Sequence, residues 1–184
     1  MKTAILFFIL FVAGKTFSFA SQKQIDPELS SLTIHVGKTG LFSAAGHEHT
    51  VKAPITEGTV DDGAEARVSF RVDAAELTVM PEEHRDEIQH SMQEHVLESG
   101  RFPEIRFVSS KVRSTGEHVW TVSGMLMLHG RVKPLELQVR LINGRFVGST
   151  EIKQTDFGIQ PISAAGGTVK VKNELKLDFS IMTK

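Results

Sequence analysis

The chain of 184 residues has no cysteine and no tyrosine, a single tryptophan, and a net charge of only -1. Without cysteine there are no disulfides, thiolate metal sites, iron–sulfur clusters or thiol nucleophiles. Without tyrosine there is no phenolic acid or nucleophile. The near-balanced charge supplies no basic field to hold nucleic acid. Gly-x-Ser-x-Gly, a dinucleotide glycine fingerprint, a phosphate loop and His-Glu-x-x-His are all missing, so no cofactor is expected. The longest apolar run, Ala4–Gly14, covers eleven residues, short of the roughly twenty that span a bilayer as a helix. What remains is the composition of an ordinary globular domain, with 40% apolar residues and 15 glycines.

The first twenty residues differ from the rest. Lys2 precedes the apolar run, and Ser18-Phe19-Ala20 fits a small-x-small cleavage site. This pattern predicts an export signal peptide cut after Ala20, and a periplasmic or secreted mature protein. Residues 21–30 then read as a short lead and 31–184 as one domain.

Alternation of apolar and polar residues marks strands through that domain. It is longest at the end, where Val169, Val171, Leu175, Leu177, Phe179 and Ile181 alternate with polar residues, with one polar slip at Asn173. Leu135–Leu141 alternates likewise, and Asn143-Gly144 after it signals a tight hairpin turn. His129-Gly130 and Ser114-Thr115-Gly116 read as two more turns. Further strands are expected over Ile105–Val112, Trp120–Leu128, Phe146–Ile152, Leu32–Val36, Ala66–Val72 and Thr50–Val60, the last broken at Ala53-Pro54. Only Pro81–Leu97 has a helical stripe, Ile88, Met92 and Val96, with acidic residues early and Pro81 at the first position. The strand from Trp120 is apolar in both phases, which predicts that this helix covers its outer side. About eight one-faced antiparallel strands joined by short turns predict an all-β up-and-down eight-stranded barrel, lipocalin-like, which removes sheet edges. A two-sheet sandwich is the alternative.

Several stretches resemble the YceI-like family. They are Phe102-Pro103-Glu104-Ile105-Arg106-Phe107, Trp120-Thr121-Val122-Ser123-Gly124, Leu128-His129-Gly130, Lys133-Pro134, Asp156-Phe157-Gly158-Ile159 and Gly166–Lys172, with Gly46-His47-Glu48-His49 near the start. The resemblance covers roughly residues 31–182. It implies a lipocalin-like barrel whose lumen holds an isoprenoid or quinone-like lipid without covalent chemistry. Transient membrane contact is expected from the Lys170, Lys172 and Lys176 stripe, which attracts anionic head groups. The lumen candidates are Phe70, Phe107, Leu126, Leu137, Leu177 and Phe179, with Trp120, Met125 and Met127. Alternation alone allows the same residues to fill a solid core.

The eight histidines carry the competing reading. In His47-Glu48-His49 the two rings share one face of an extended segment. They either meet a polar head group at the barrel mouth or serve a metal-binding protein or hydrolase. His90 and Glu94 have i, i+4 chelating spacing on the expected helix. Asp156 reads as a turn residue bonding backbone N–H groups, Gly166-Gly167 as a bulge or tight turn, and Lys170, Lys172 and Lys176 as the wet side of the last strand. An accessory domain with no ligand is the third reading.

Overall fold

A computed structural model describes residues 22–39, 48–63, 65–164 and 169–184. The expected signal peptide, His47 and Gly166-Gly167 lie outside the described residues. The elements are β1 (Gln22–Gln24), β2 (Ser31–Thr39), β3 (His49–Lys52), β4 (Ile55–Asp61), β5 (Arg67–Asp73), β6 (Thr78–Val79), α1 (Arg85–Ser91), β7 (Glu104–Gly116), β8 (Val119–Leu128), β9 (Arg131–Ile142), β10 (Arg145–Lys153), β11 (Ser163–Ala164) and β12 (Val169–Ile181).

All twelve strands belong to one antiparallel sheet. Its closure turns on Ala53-Pro54. β3 pairs with β2 while β4 pairs with β5, and only these two residues separate them. One bent strand therefore serves both sides of the seam. Pro54 has no N–H, so the corner loses no ladder bond there, and Ala53 N–H still donates to Leu32 O at 2.9 Å. β12 pairs with β2, and β5, β7, β8, β9, β10 and β12 follow one another. Counting β3–β4 once and setting aside the short β1, β6 and β11, eight strands run up and down around the ring.

Local chemistry sets the turns. Asn143 and Gly144 have φ of 50° and 77°, and His129 and Gly130 have 50° and 69°, the doubly left-handed geometry that suits twisted hairpins. The turn expected at Ser114–Gly116 falls later. β7 runs through Gly116, and His118 takes φ of 56°. The helix is also shorter than its stripe. His84 is left-handed at φ 59°, α1 begins at Arg85, and a π-helical turn over Met92–Val96 completes it. Pro81 lies outside the helix, and between the two Glu82 meets His49 at 2.8 Å. β1 pairs with β4, Ile25 bridges to Thr183, and Ile25 is buried.

Glycines shape the interior where rings lie against the wall. A Cβ on Gly124 would meet Phe107 Cζ and Val108 O, each at 2.5 Å, and one on Gly148 would meet Phe179 Cζ at 2.5 Å. The two rings can lie flat over bare backbone only because these positions are glycine. Gly124→Ala is expected to cost about 1–3 kcal/mol through this overpacking. Gly100→Ala, with nothing within 4 Å of its Cβ, should stay within about 0.5 kcal/mol. Urea denaturation of the two variants checks the contrast.

Candidate functional site

The interior is a cavity of about 1190 Å³. Val51, Ala53, Ile55, Val72, Leu77, Val79 and Phe107, all buried, form the tightly packed part of its wall around the seam. Liquid water takes about 30 Å³ per molecule, so this space matches roughly forty waters. Its wall is apolar along the middle of the strands. Ile34, Val36, Val68, Leu135, Phe146, Leu175 and Leu177 line it and are only half-buried.

Of the residues singled out from sequence, Phe70, Trp120, Leu177 and Phe179 line the cavity half-buried, and Leu126 and Leu137 line it as buried wall residues. Phe107 lines it too but is 0% exposed, with its ring stacked on Phe70 at 5.5 Å between centroids. Its part is to support the wall. Met125 and Met127 belong to the other side of β8. Phe107 stands opposite Leu126, so the inward phase is even-numbered, and Met125 is left 43% exposed beside Val108. A strand apolar in both phases carries no phase information of its own. Ile34, Val36, Val68 and Phe146 escaped the sequence reading, although the same alternation in their strands points them inward.

The helix closes one end of the barrel. Ile88, Met92 and Val96 line the cavity, so they face the lumen and do not cover the outside of β8. The adjacent stripe is polar and anchors the helix to β6. Arg85 Nε donates to Val79 O at 3.0 Å. Gln89 accepts from Val79 N–H at 2.7 Å and donates to Leu77 O at 2.8 Å, and Gln93 donates to Ala74 O and Leu77 O, each at 3.1 Å. Gln89→Ala removes two of these bonds. It is expected to cost about 1–3 kcal/mol locally and to speed amide hydrogen exchange in α1 before that of β7–β9.

Polar groups gather at the two ends. At the helical end are Lys38, His49, Glu87, Ser91 and Gln154. Gln154 is 4% exposed, and its Nε2 is fixed on Lys172 O at 2.8 Å. His49 is half-buried, with Nδ1 2.8 and 2.9 Å from the two Glu82 oxygens. The opposite end carries Lys23, Asp61, Asp62, Ser114 and His118. There the Lys23 ammonium, 2.6 Å from Asp62, holds that carboxyl below its ordinary value of 3.8. The pair is exposed and adds little stability. Its contribution is present above that ordinary value and is lost as pH falls through the lowered one.

The other sequence candidates resolve simply. Among the described residues no three His, Asp or Glu side chains gather as a metal site. His90 meets His95 edge-on, with ring centroids 6.3 Å apart; among the described residues no hydrogen bond or ion pair joins it to Glu94. Asp156 lies in the 3-10 turn Gln154–Phe157, and among the described residues no hydrogen bond reaches its carboxylate. Instead Asn173, the polar slip in β12, accepts from Thr155 N–H and donates to Thr155 Oγ1, both at 3.0 Å. Lys170, Lys172 and Lys176 are exposed, as expected of a wet side.

A closed antiparallel barrel with a long apolar cavity, capped by a short helix, is lipocalin-like in architecture. The chain matches the YceI-like domain over residues 24–183 and belongs to that family. A UPF0312 protein of Pseudomonas savastanoi pv. phaseolicola is 33% identical over 108 residues, 53% of either chain. One from Shewanella denitrificans is 29% identical over 99 residues, 48% of this chain and 52% of that one. The matched region thus spans about half the length of these curated relatives. Among solved structures, BcnA of Burkholderia cenocepacia superposes with TM-score 0.63 at 16% identity, covering 85% of this chain and 98% of that one. A polyisoprenoid binding domain from Saccharophagus degradans gives 0.61 at 18%, covering 90% and 98%. At these identities the structural likeness speaks for the fold.

Proposed function

We propose that the protein is an exported noncovalent carrier whose cavity holds the apolar chain of an isoprenoid or quinone-like lipid. The observation that carries this reading is the cavity itself, about 1190 Å³ and apolar through its middle. A hydrocarbon chain leaving water for such a wall gains about 0.8 kcal/mol per buried CH₂, so tight binding needs few polar contacts. Family membership supports binding over catalysis, and one structural neighbour is described as a polyisoprenoid binding domain.

Export rests on the signal-like first twenty residues. It predicts a mature chain beginning at Ser21, which N-terminal sequencing of the native protein checks. Transient membrane contact completes the reading, because such lipids reside in bilayers. The exposed Val108–Met125 pair with Val132, beside Arg106 on the same outward face, offers an apolar patch edged by a cation for it.

The protein supplies its own reporter. Trp120 is the single tryptophan and lines the cavity. Decylubiquinone, whose quinone quenches indole, should reduce its fluorescence saturably at one equivalent per chain. Quenching that rises linearly without saturation would reject the carrier reading.

A further inference from the structure

We propose that the helix is a fixed floor of the tube and sets the longest chain the protein accepts, through Ile88 and Met92, with the head group left at the opposite, open end. The proposal rests on the lipid-binding reading above. The two ends of the tube differ in exposure. At the end away from the helix, the lining residues Asp62, Ser114, His118 and Gly144 are all exposed. This end is the mouth. At the helical end Leu77, Leu97, Leu128 and Ile159 line the tube and are all buried. A tail that enters by the mouth therefore ends against the helix.

The helical segment lies across that end as a bar. Glu82, just before α1, is 2.8 Å from His49 of β3, and Glu98, just after the π-helical turn, is 2.9 Å from His129 between β8 and β9. In the order of the strands, β3 and the β8–β9 turn stand on nearly opposite sides of the ring. Between these two fastenings Arg85, Gln89 and Gln93 bond the backbone of Ala74, Leu77 and Val79. Moving the bar breaks these bonds together. Ile88, Met92 and Val96 recur at one turn each and present one apolar row to the tube. A hydrocarbon tail has no group that bonds a polar atom, so packing decides where it stops. One isoprene unit too many forces the row out of its rotamers, and one too few leaves it without partner atoms.

The test loads lipid-free protein from phosphatidylcholine vesicles that carry an equimolar ladder of all-trans prenols, from farnesol to solanesol. The protein is re-isolated and extracted, and mass spectrometry gives the lengths bound. Bilayer and tube are both apolar, so a further unit gains little from the transfer itself, and the lengths report fit. The wild type is expected to show an upper limit. Ile88→Ala combined with Met92→Ala vacates about the volume of one isoprene unit and should move that limit about one unit longer. Val96→Phe puts a ring on the floor and should move it about one unit shorter. Alanine suits a helix, and neither variant removes an anchoring bond. A general loss of stability lowers loading at every length without moving the limit. Limits that do not move in these opposite directions would overturn the proposal. A wild type that loads every length up to solanesol would overturn it as well, the tail then leaving past Lys38 and His49, where a smaller cavity adjoins the helix. In both cases prenols have loaded, and the carrier reading stands. If no prenol loads, both fall.

Discussion

Phe107→Ala is expected to destabilise the protein by about 3–5 kcal/mol, among the largest losses a single truncation produces in a packed core. The ring is wholly buried, stacks on Phe70 and lies over the bare backbone of Gly124. Removing it leaves a void between β5, β7 and β8 that the glycine cannot fill. For a chain of this length, each kcal/mol moves the midpoint by about 2–4 °C, so the melting temperature should fall by roughly 6–20 °C. Thermal melting followed by circular dichroism measures it. A shift of only a degree or two would mean that the ring faces the tube freely and does not support the wall. The same geometry makes Phe107 a poor place to test ligand binding, because its loss damages the wall before it alters the lumen.

Leu177→Glu is the cleaner test of binding, and it is expected to weaken an isoprenoid probe by about a hundredfold or more. Leu177 lies midway along β12, between Ile34 of β2 and Thr150 of β10, half-buried on the cavity wall. A carboxylate there has water around it only while the tube holds no chain. A bound hydrocarbon strips that water and supplies no hydrogen bond, at a cost of several kcal/mol. The fold should lose less than in Phe107→Ala, since the charge has the cavity to face. Decylubiquinone titration of the purified variant, beside its melting curve, separates the two effects. Unchanged affinity in a folded variant would place the ligand elsewhere.

Much of this architecture was legible in the sequence, and the reasons are local. Alternation in Leu135–Leu141 and Val169–Ile181 gave both the strands and their inward phase. Asn143-Gly144 and His129-Gly130 gave hairpins because few other residues accept left-handed backbone in succession. What could not be read depended on partners distant in sequence. The phase of β8 is set by Phe107 opposite Leu126, so Met125 and Met127, apolar and adjacent to lining residues, turned out to face outward. The helical stripe was visible, but periodicity does not say which surface it meets, and here it meets the lumen. The helix starts later than its stripe, after the left-handed His84, and Glu82 just before it meets His49, 33 positions earlier. Asn173 looked like a flaw in β12 and proves to pin the turn at Thr155.

The central claim is that the cavity holds an apolar lipid chain. It is tested most directly by purifying the mature protein from its native host under mild conditions, denaturing it, extracting with organic solvent and analysing the extract by mass spectrometry. The account predicts an isoprenoid or related long-chain amphiphile near one equivalent per chain, lost in parallel preparations of Leu177→Glu. A clean extract, from protein that also fails to take up added isoprenoid, would contradict it.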